Sequence, residues 1–205
     1  DSPLMGAEAV AIHLLDNWFL NSKVSMPSEV ELMNARIFAD FNRQSLLGCQ
    51  APELQLKQRD GEMCNVFPRE KRRYAVLYFY APDCAKCRIQ SIMMRNLLNT
   101  GNYPVDFVAV YTGDDMQEWD EYVSRHLAVS SESVSAEHLW DPEVDSDYQR
   151  KYGVIQTPRM FLIAPDGTII GRGLDAKALS EMLDGIFSEK QLNYGTEESV
   201  ALYDM

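Results

Sequence analysis

Residues 74–87, Tyr74-Ala-Val-Leu-Tyr-Phe-Tyr-Ala-Pro-Asp-Cys-Ala-Lys-Cys87, decide the fold. Eight apolar or aromatic residues in a row, Tyr74 to Ala81, predict a strand covered on both faces. Pro82 and Asp83 stop it. From Cys84 onward Ile89, Ile92, Met93 and Leu97 recur at helical spacing, so the two cysteines fall where a helix begins, and those four residues are its expected apolar face. The first turn of a helix carries unsatisfied N–H groups and the positive end of the macrodipole, which favour a thiolate at Cys84. Three residues on, Cys87 lies over the same face within disulfide reach and deeper against the sheet. Cys84 is the expected nucleophile and Cys87 the resolving thiol. A Cys-x-x-Cys can also be half of a zinc site, but structural sites usually pair two such knuckles and this chain has one. Cys49 and Cys64 would have to supply the rest, so zinc is disfavoured and no metal or other cofactor is expected.

Working outward, Val76-Leu77-Tyr78-Phe79-Tyr80-Ala81-Pro82-Asp83-Cys84-Ala85-Lys86-Cys87 resembles the active-site strand and helix of the thioredoxin superfamily. Gly153-Val154-Ile155-Gln156-Thr157-Pro158-Arg159-Met160-Phe161-Leu162-Ile163 resembles that family's second landmark, a Thr-Pro with a cis peptide bond entering a strand. Gly48-Cys49-Gln50-Ala51-Pro52, with Leu56 and Asp60-Gly61, is similar to the first hairpin of the envelope-resident, membrane-tethered thiol-disulfide oxidoreductases. Pro165-Asp166-Gly167-Thr168-Ile169-Ile170-Gly171 is similar to their last hairpin. The resemblance covers residues 47–188. It implies a thioredoxin-like α/β fold, a central mixed sheet with helices on both faces, and thiol-disulfide exchange through Cys84 and Cys87. Taken without the family, Pro158 reads as an ordinary strand-entry proline. The resemblance instead sets Thr157 and Pro158 against the dithiol, where they would bind an extended substrate segment. It also implies protein disulfide or dithiol substrates, an upstream electron donor, a bacterial envelope or periplasmic location, and reduction as the direction.

Three positions depart from the family pattern. Asp83 replaces the frequent tryptophan before the first cysteine, and its charge opposes a thiolate, offset in part by Lys86 and the helix dipole. Tyr78 stands where thioredoxins proper bury an acid. Gln90 stands where some cytochrome-maturation members carry a glutamate; it can hydrogen-bond but not titrate. Asp83, Lys86 and Gln90 are therefore expected to modulate the site. Two rivals to the thiol-disulfide oxidoreductase reading stay open: a thioredoxin-like binding module with a spectator dithiol, and a thiol peroxidase. The peroxidase is disfavoured because Ala81 stands where a peroxide-orienting threonine would be.

The 205 residues suit one generous domain, or one domain with an addition, and the 31 acidic against 19 basic residues give a net charge of -12. That charge, spread along the chain, argues against nucleic acid or anionic lipid as a partner. No apolar run approaches the ~20 residues of a membrane helix. The sequence opens at Asp1 rather than Met, as expected if a signal or lipid anchor preceded it, and any membrane link would run through that segment. Residues 1–46 read as a helical extension. One stripe is Leu4, Ala7, Ala11, Leu14, Leu15, Trp18 and Phe19; a second, after Pro27, is Val30, Met33, Ile37, Phe38 and Phe41. Packing of these faces on the main domain is favoured over a dimer surface or a larger module. A hairpin is expected around Asp60-Gly61, a strand over 104–111, a capped helix from Asp114 or Asp115, and a polar loop over 128–135. A short helix ends at Gly153, strands run over 159–164 and 168–172, a last helix over 175–188, and a loose acidic tail over 189–205. Cys49 and Cys64 are candidates for a structural disulfide bracing the first hairpin, or equally for two free thiols. His13, His126 and His138 show no ligand spacing.

Overall fold

The computed structural model describes residues 6–21, 24–25, 28–68 and 73–201, with side chains to residue 188. Leu4 and Pro27 of the two N-terminal stripes lie outside the described residues, as do residues 202–205. Among the described residues seven strands form one mixed sheet: β1 Leu54–Lys57, β2 Met63–Phe67, β3 Tyr74–Tyr80, β4 Val105–Tyr111, β5 Ser135–Trp140, β6 Arg159–Ile163 and β7 Ile169–Arg172. Their order is β2-β1-β5-β4-β3-β6-β7. Strand β3 pairs parallel with β4 and antiparallel with β6, and β4 pairs parallel with β5. Apart from the half-buried Tyr74, every residue of β3 and β4 is buried, as their unbroken apolar runs require.

Helices are α1 Ala7–Leu14, α2 Glu29–Asn42, α3 Ala85–Thr100, α4 Met116–Tyr122, α5 Tyr148–Tyr152 and α6 Ala176–Ala201. One face of the sheet packs α3, α4 and α6 through Met94, Leu98, Trp119, Leu179 and Leu183; the other packs Tyr148 and Tyr152 of α5. Local chemistry sets the punctuation. Asp115 caps α4, its carboxylate accepting from Glu118 N–H at 2.9 Å. Gly153 ends α5 at φ 64°, and Gly61 turns the β1–β2 hairpin at φ 88°.

Four expectations are corrected. Strand β5 falls on the stretch whose start reads as loop and whose Glu137 and His138 break any apolar alternation; pairing with β4 on one side and β1 on the other makes it a strand. Helix α3 buries Cys87, Ser91, Met94 and Leu98, whereas Ile89 and Met93 are exposed. Ser91 reads as solvent-facing by residue type, yet its hydroxyl is paired inside the core. The last helix continues past residue 188 to Ala201, through the good helix formers Glu189, Lys190, Gln191 and Leu192. In the N-terminal extension Ile12, Leu15 and Ala39 are buried together, with Phe19, Leu32, Ala35 and Leu46 packed around them. Leu14, Trp18, Val30, Met33, Ile37 and Phe38 of the expected apolar faces are instead exposed. The buried set lies where α1 meets α2, so contact between the two helices, and not apolarity alone, chose it.

The extension is tied to the sheet by charge. Glu8 of α1 lies 2.6 Å from Arg172 of β7 and 3.9 Å from Arg159 of β6, and Arg172 also donates to the Asn42 side chain of α2. Arg172 is buried, so its charge depends on that carboxylate and amide. We expect Glu8→Gln to lower unfolding free energy by about 2–4 kcal/mol, because a buried guanidinium loses its counter-charge, measured as a shift of the urea midpoint.

Candidate active site

Strand β3 ends at Tyr80, and four residues later Cys84 is the N-cap of α3. Its backbone is extended (φ -88°, ψ 110°), and its sulfur accepts the Cys87 N–H at 3.1 Å, where a cap residue usually offers oxygen. Cys84 is half-buried and Cys87 fully buried. The Thr157–Pro158 peptide bond is cis, and the Thr157 carbonyl lies 3.5 Å from the Cys84 sulfur, accepting from its thiol. The four residues Cys84, Cys87, Thr157 and Pro158 are thus brought together from the two ends of the landmark pair. A second cis bond, Phe67–Pro68, had no sequence signal.

The two thiols are pushed in opposite directions. Burial raises the Cys84 thiol, but hydrogen bonds from the Cys87 thiol, Cys87 N–H, Thr157 and Lys86 N–H outweigh it, and the net shift is downward. Burial pushes the Cys87 thiol up to about 11, with its hydrogen bond to Cys84 adding to the rise and those of Ala81 N–H and Thr157 opposing it. Burial, two neutral donors and the partner sulfur are thus the chief influences on the Cys87 thiol.

Asp83 and Lys86 are exposed beside the pair. Gln90 serves elsewhere: its side-chain carbonyl accepts Ala176 N–H at 2.7 Å and so caps the start of α6. Tyr78, in the strand below, donates to the Cys87 carbonyl at 3.1 Å. Cys49 and Cys64 are half-buried and unbridged. The Cys49 carbonyl pairs with Ile169, level with the start of β3 and hence at the opposite end of the sheet from Cys84, while Cys64 is on the edge strand β2. Sequence reasoning missed two features near the site. Ile155, two residues before Thr157, is 63% exposed, and Ile89, two residues after Cys87, is 59% exposed. Their apolarity was legible; that they face solvent was not, since β-branched residues in such runs normally go inward.

Residues 72–169 match a family model described as thioredoxin-like. No curated protein matches the chain. Among solved structures, the thioredoxin domain of a thiol-disulfide oxidoreductase from Bacteroides vulgatus is 17% identical, covering 68% of this chain and 96% of that one, with a TM-score of 0.57. A thioredoxin-like protein from Bacteroides caccae is 13% identical with a TM-score of 0.66; the match covers 86% of this chain and 61% of that longer one. A secreted disulfide oxidoreductase from Mycobacterium tuberculosis is 20% identical, covering 64% of this chain and 94% of that one at a TM-score of 0.51. At these identities the likeness is one of fold. By that likeness and by the match over residues 72–169, the fold of this chain is thioredoxin-like.

Proposed function

We propose that this protein is a thiol-disulfide oxidoreductase that reduces disulfides in protein substrates, with electrons supplied by an upstream dithiol donor. The observation that carries the reading is the asymmetry of the pair: a half-buried sulfur with a lowered pKa at a helix N-cap, and a buried sulfur with a raised one behind it. Cys84 thiolate attacks a substrate disulfide, forms a mixed disulfide and releases one substrate thiol. Cys87 then attacks Cys84 and releases the other, leaving Cys84 and Cys87 oxidised. Thr157 and Pro158 offer backbone to an extended substrate segment beside Cys84, a short form of strand addition. The exposed Ile155 and Ile89 suit a partner with apolar residues around its disulfide, which favours protein over small-thiol substrates.

A bacterial envelope or periplasmic location accords with the family resemblance and with a relative whose own description is secreted. Among the described residues no helix is long and apolar enough to cross a membrane. Direction follows from potential: dithiol couples of this fold span roughly 150 mV, about 7 kcal/mol, and a reductase sits at the negative end. Titration of the 84/87 pair against glutathione should place it near the reducing end; a value near the oxidising end would reverse the assignment.

Three further outcomes test the reading. Cys84→Ser should lower insulin reduction by about 1000-fold or more, and Cys87→Ser should accumulate mixed disulfides with substrate proteins, seen on non-reducing gels. Equal activity in Cys84→Ser and wild type would end the catalytic reading. In the reduced protein, alkylation of Cys84 should reach its plateau at a pH below that of an ordinary cysteine, because a lowered pKa leaves more thiolate at any given pH. Cys87 should stay unreactive until pH approaches its value of about 11. Ile155→Ser should raise KM for disulfide-bonded protein substrates several-fold while leaving the rate with a small aromatic disulfide near that of wild type.

A further inference from the structure

We infer that the hydroxyls of Tyr78, Ser91 and Tyr122 form an oriented chain whose positive end supports the negative charge that Cys87 acquires when its thiol ionises ahead of the resolving attack, with Tyr78 as the positioning residue. This rests on the dithiol reading above. The Tyr78 hydroxyl lies 3.1 Å from the Cys87 carbonyl, and since a carbonyl can only accept, Tyr78 spends its single hydrogen there. The same hydroxyl lies 3.1 Å from the Ser91 hydroxyl, so Ser91 must be the donor in that bond. Ser91 lies 3.0 Å from the Tyr122 hydroxyl, and with its own hydrogen committed it must accept from Tyr122. The polarity of all three bonds is therefore set by one carbonyl: each hydrogen points toward Cys87.

The chain is enclosed. Tyr78 and Ser91 are 0% exposed and Tyr122 5%, and the rings are held by stacking, Tyr78 on Tyr80 at 5.6 Å and Tyr80 on Tyr122 at 4.9 Å. In so dry a setting aligned hydroxyls polarise one another and act strongly on a nearby charge. They are not bases: burial raises Tyr78 beyond its ordinary phenol range and Tyr122 to about 12. The chain thus supplies a field and takes no proton. In the resolving step the Cys87 sulfur bonds to Cys84, and the bond from Cys84 to the substrate sulfur breaks. The electron pair leaves on the substrate sulfur, which takes up the proton equivalent that Cys87 lost. The two active-site sulfurs are oxidised and the substrate disulfide is reduced.

The test uses reduced full-length protein mixed by stopped flow with dithionitrobenzoate, whose thiolate is coloured. The first equivalent released reports attack by Cys84 and the second reports resolution by Cys87. Tyr78→Phe, Ser91→Ala and Tyr122→Phe remove one hydroxyl each, and the two phenylalanine variants keep their stacked rings. Relative to the first phase, the second should slow by about threefold to tenfold in Tyr78→Phe, as expected for a rise of half to one unit in the Cys87 pKa. Its pH profile should move to higher pH, with smaller shifts in the same direction for Ser91→Ala and Tyr122→Phe. A loss of packing alone would lower the thermal midpoint without displacing that profile. Second-phase profiles matching wild type in all three variants would overturn the inference, and so would a shift confined to Tyr78→Phe. A wild-type protein that releases only one equivalent would overturn the dithiol reading itself.

Discussion

The site depends on one hydrogen bond, from the backbone N–H of Cys87 to the sulfur of Cys84. A helix must satisfy the N–H groups of its first turn, and here it uses sulfur to do so. That choice draws the macrodipole onto the Cys84 sulfur and leaves it half-open to solvent, while the same first turn carries Cys87 into the core. Neither condition could hold if α3 began a residue earlier or later. Its start is determined by β3, buried on both faces and flanked by β4 and β6, which leaves the chain at Tyr80 with little freedom before the cap.

That rigidity has visible supports. Behind the dithiol the rings of Tyr78, Tyr80, Tyr111, Trp119 and Trp140 follow one another across the sheet face at centroid separations between 5.2 and 6.0 Å. Such contacts add to burial because ring quadrupoles favour specific offsets, and they resist rotation of the phenols that carry hydroxyls into the core. Farther away, Glu8, Asn42, Arg159 and Arg172 join the N-terminal helices to strands β6 and β7. Arg159 directly follows Pro158, so the extension is linked to the strand that presents the cis-proline loop. A buried ionic tie of this kind specifies geometry more than it adds stability.

The absence of a carboxylate at position 78 changes how the Cys87 thiol can be served. A buried acid would exchange protons; a phenol pushed far above its ordinary range can only orient a dipole. Gln90, which reads in sequence as a neighbour of the thiols, is committed to the first N–H of α6 and instead couples the active-site helix to the last one.

Much was legible in the sequence because it rests on local chemistry. The apolar run of β3, the stop at Pro82-Asp83, the Cys84–Cys87 spacing, the Asp115 cap and the Gly61 and Gly153 turns each depend on a few neighbouring residues, and all stand in the structure. Residues whose environment is made by distant chain segments were not legible. Strand β5 exists because β4 and β1 pair with it, Ser91 is buried because two tyrosines from other elements accept its company, and Ile89 is exposed because Cys87 took the inward face. Sequence determined that two sulfurs would meet at a helix start; tertiary structure alone decided which side of that helix faces the sheet, and with it the opposite pulls on the two thiols, because burial is a property of what packs against a residue and not of the residue itself.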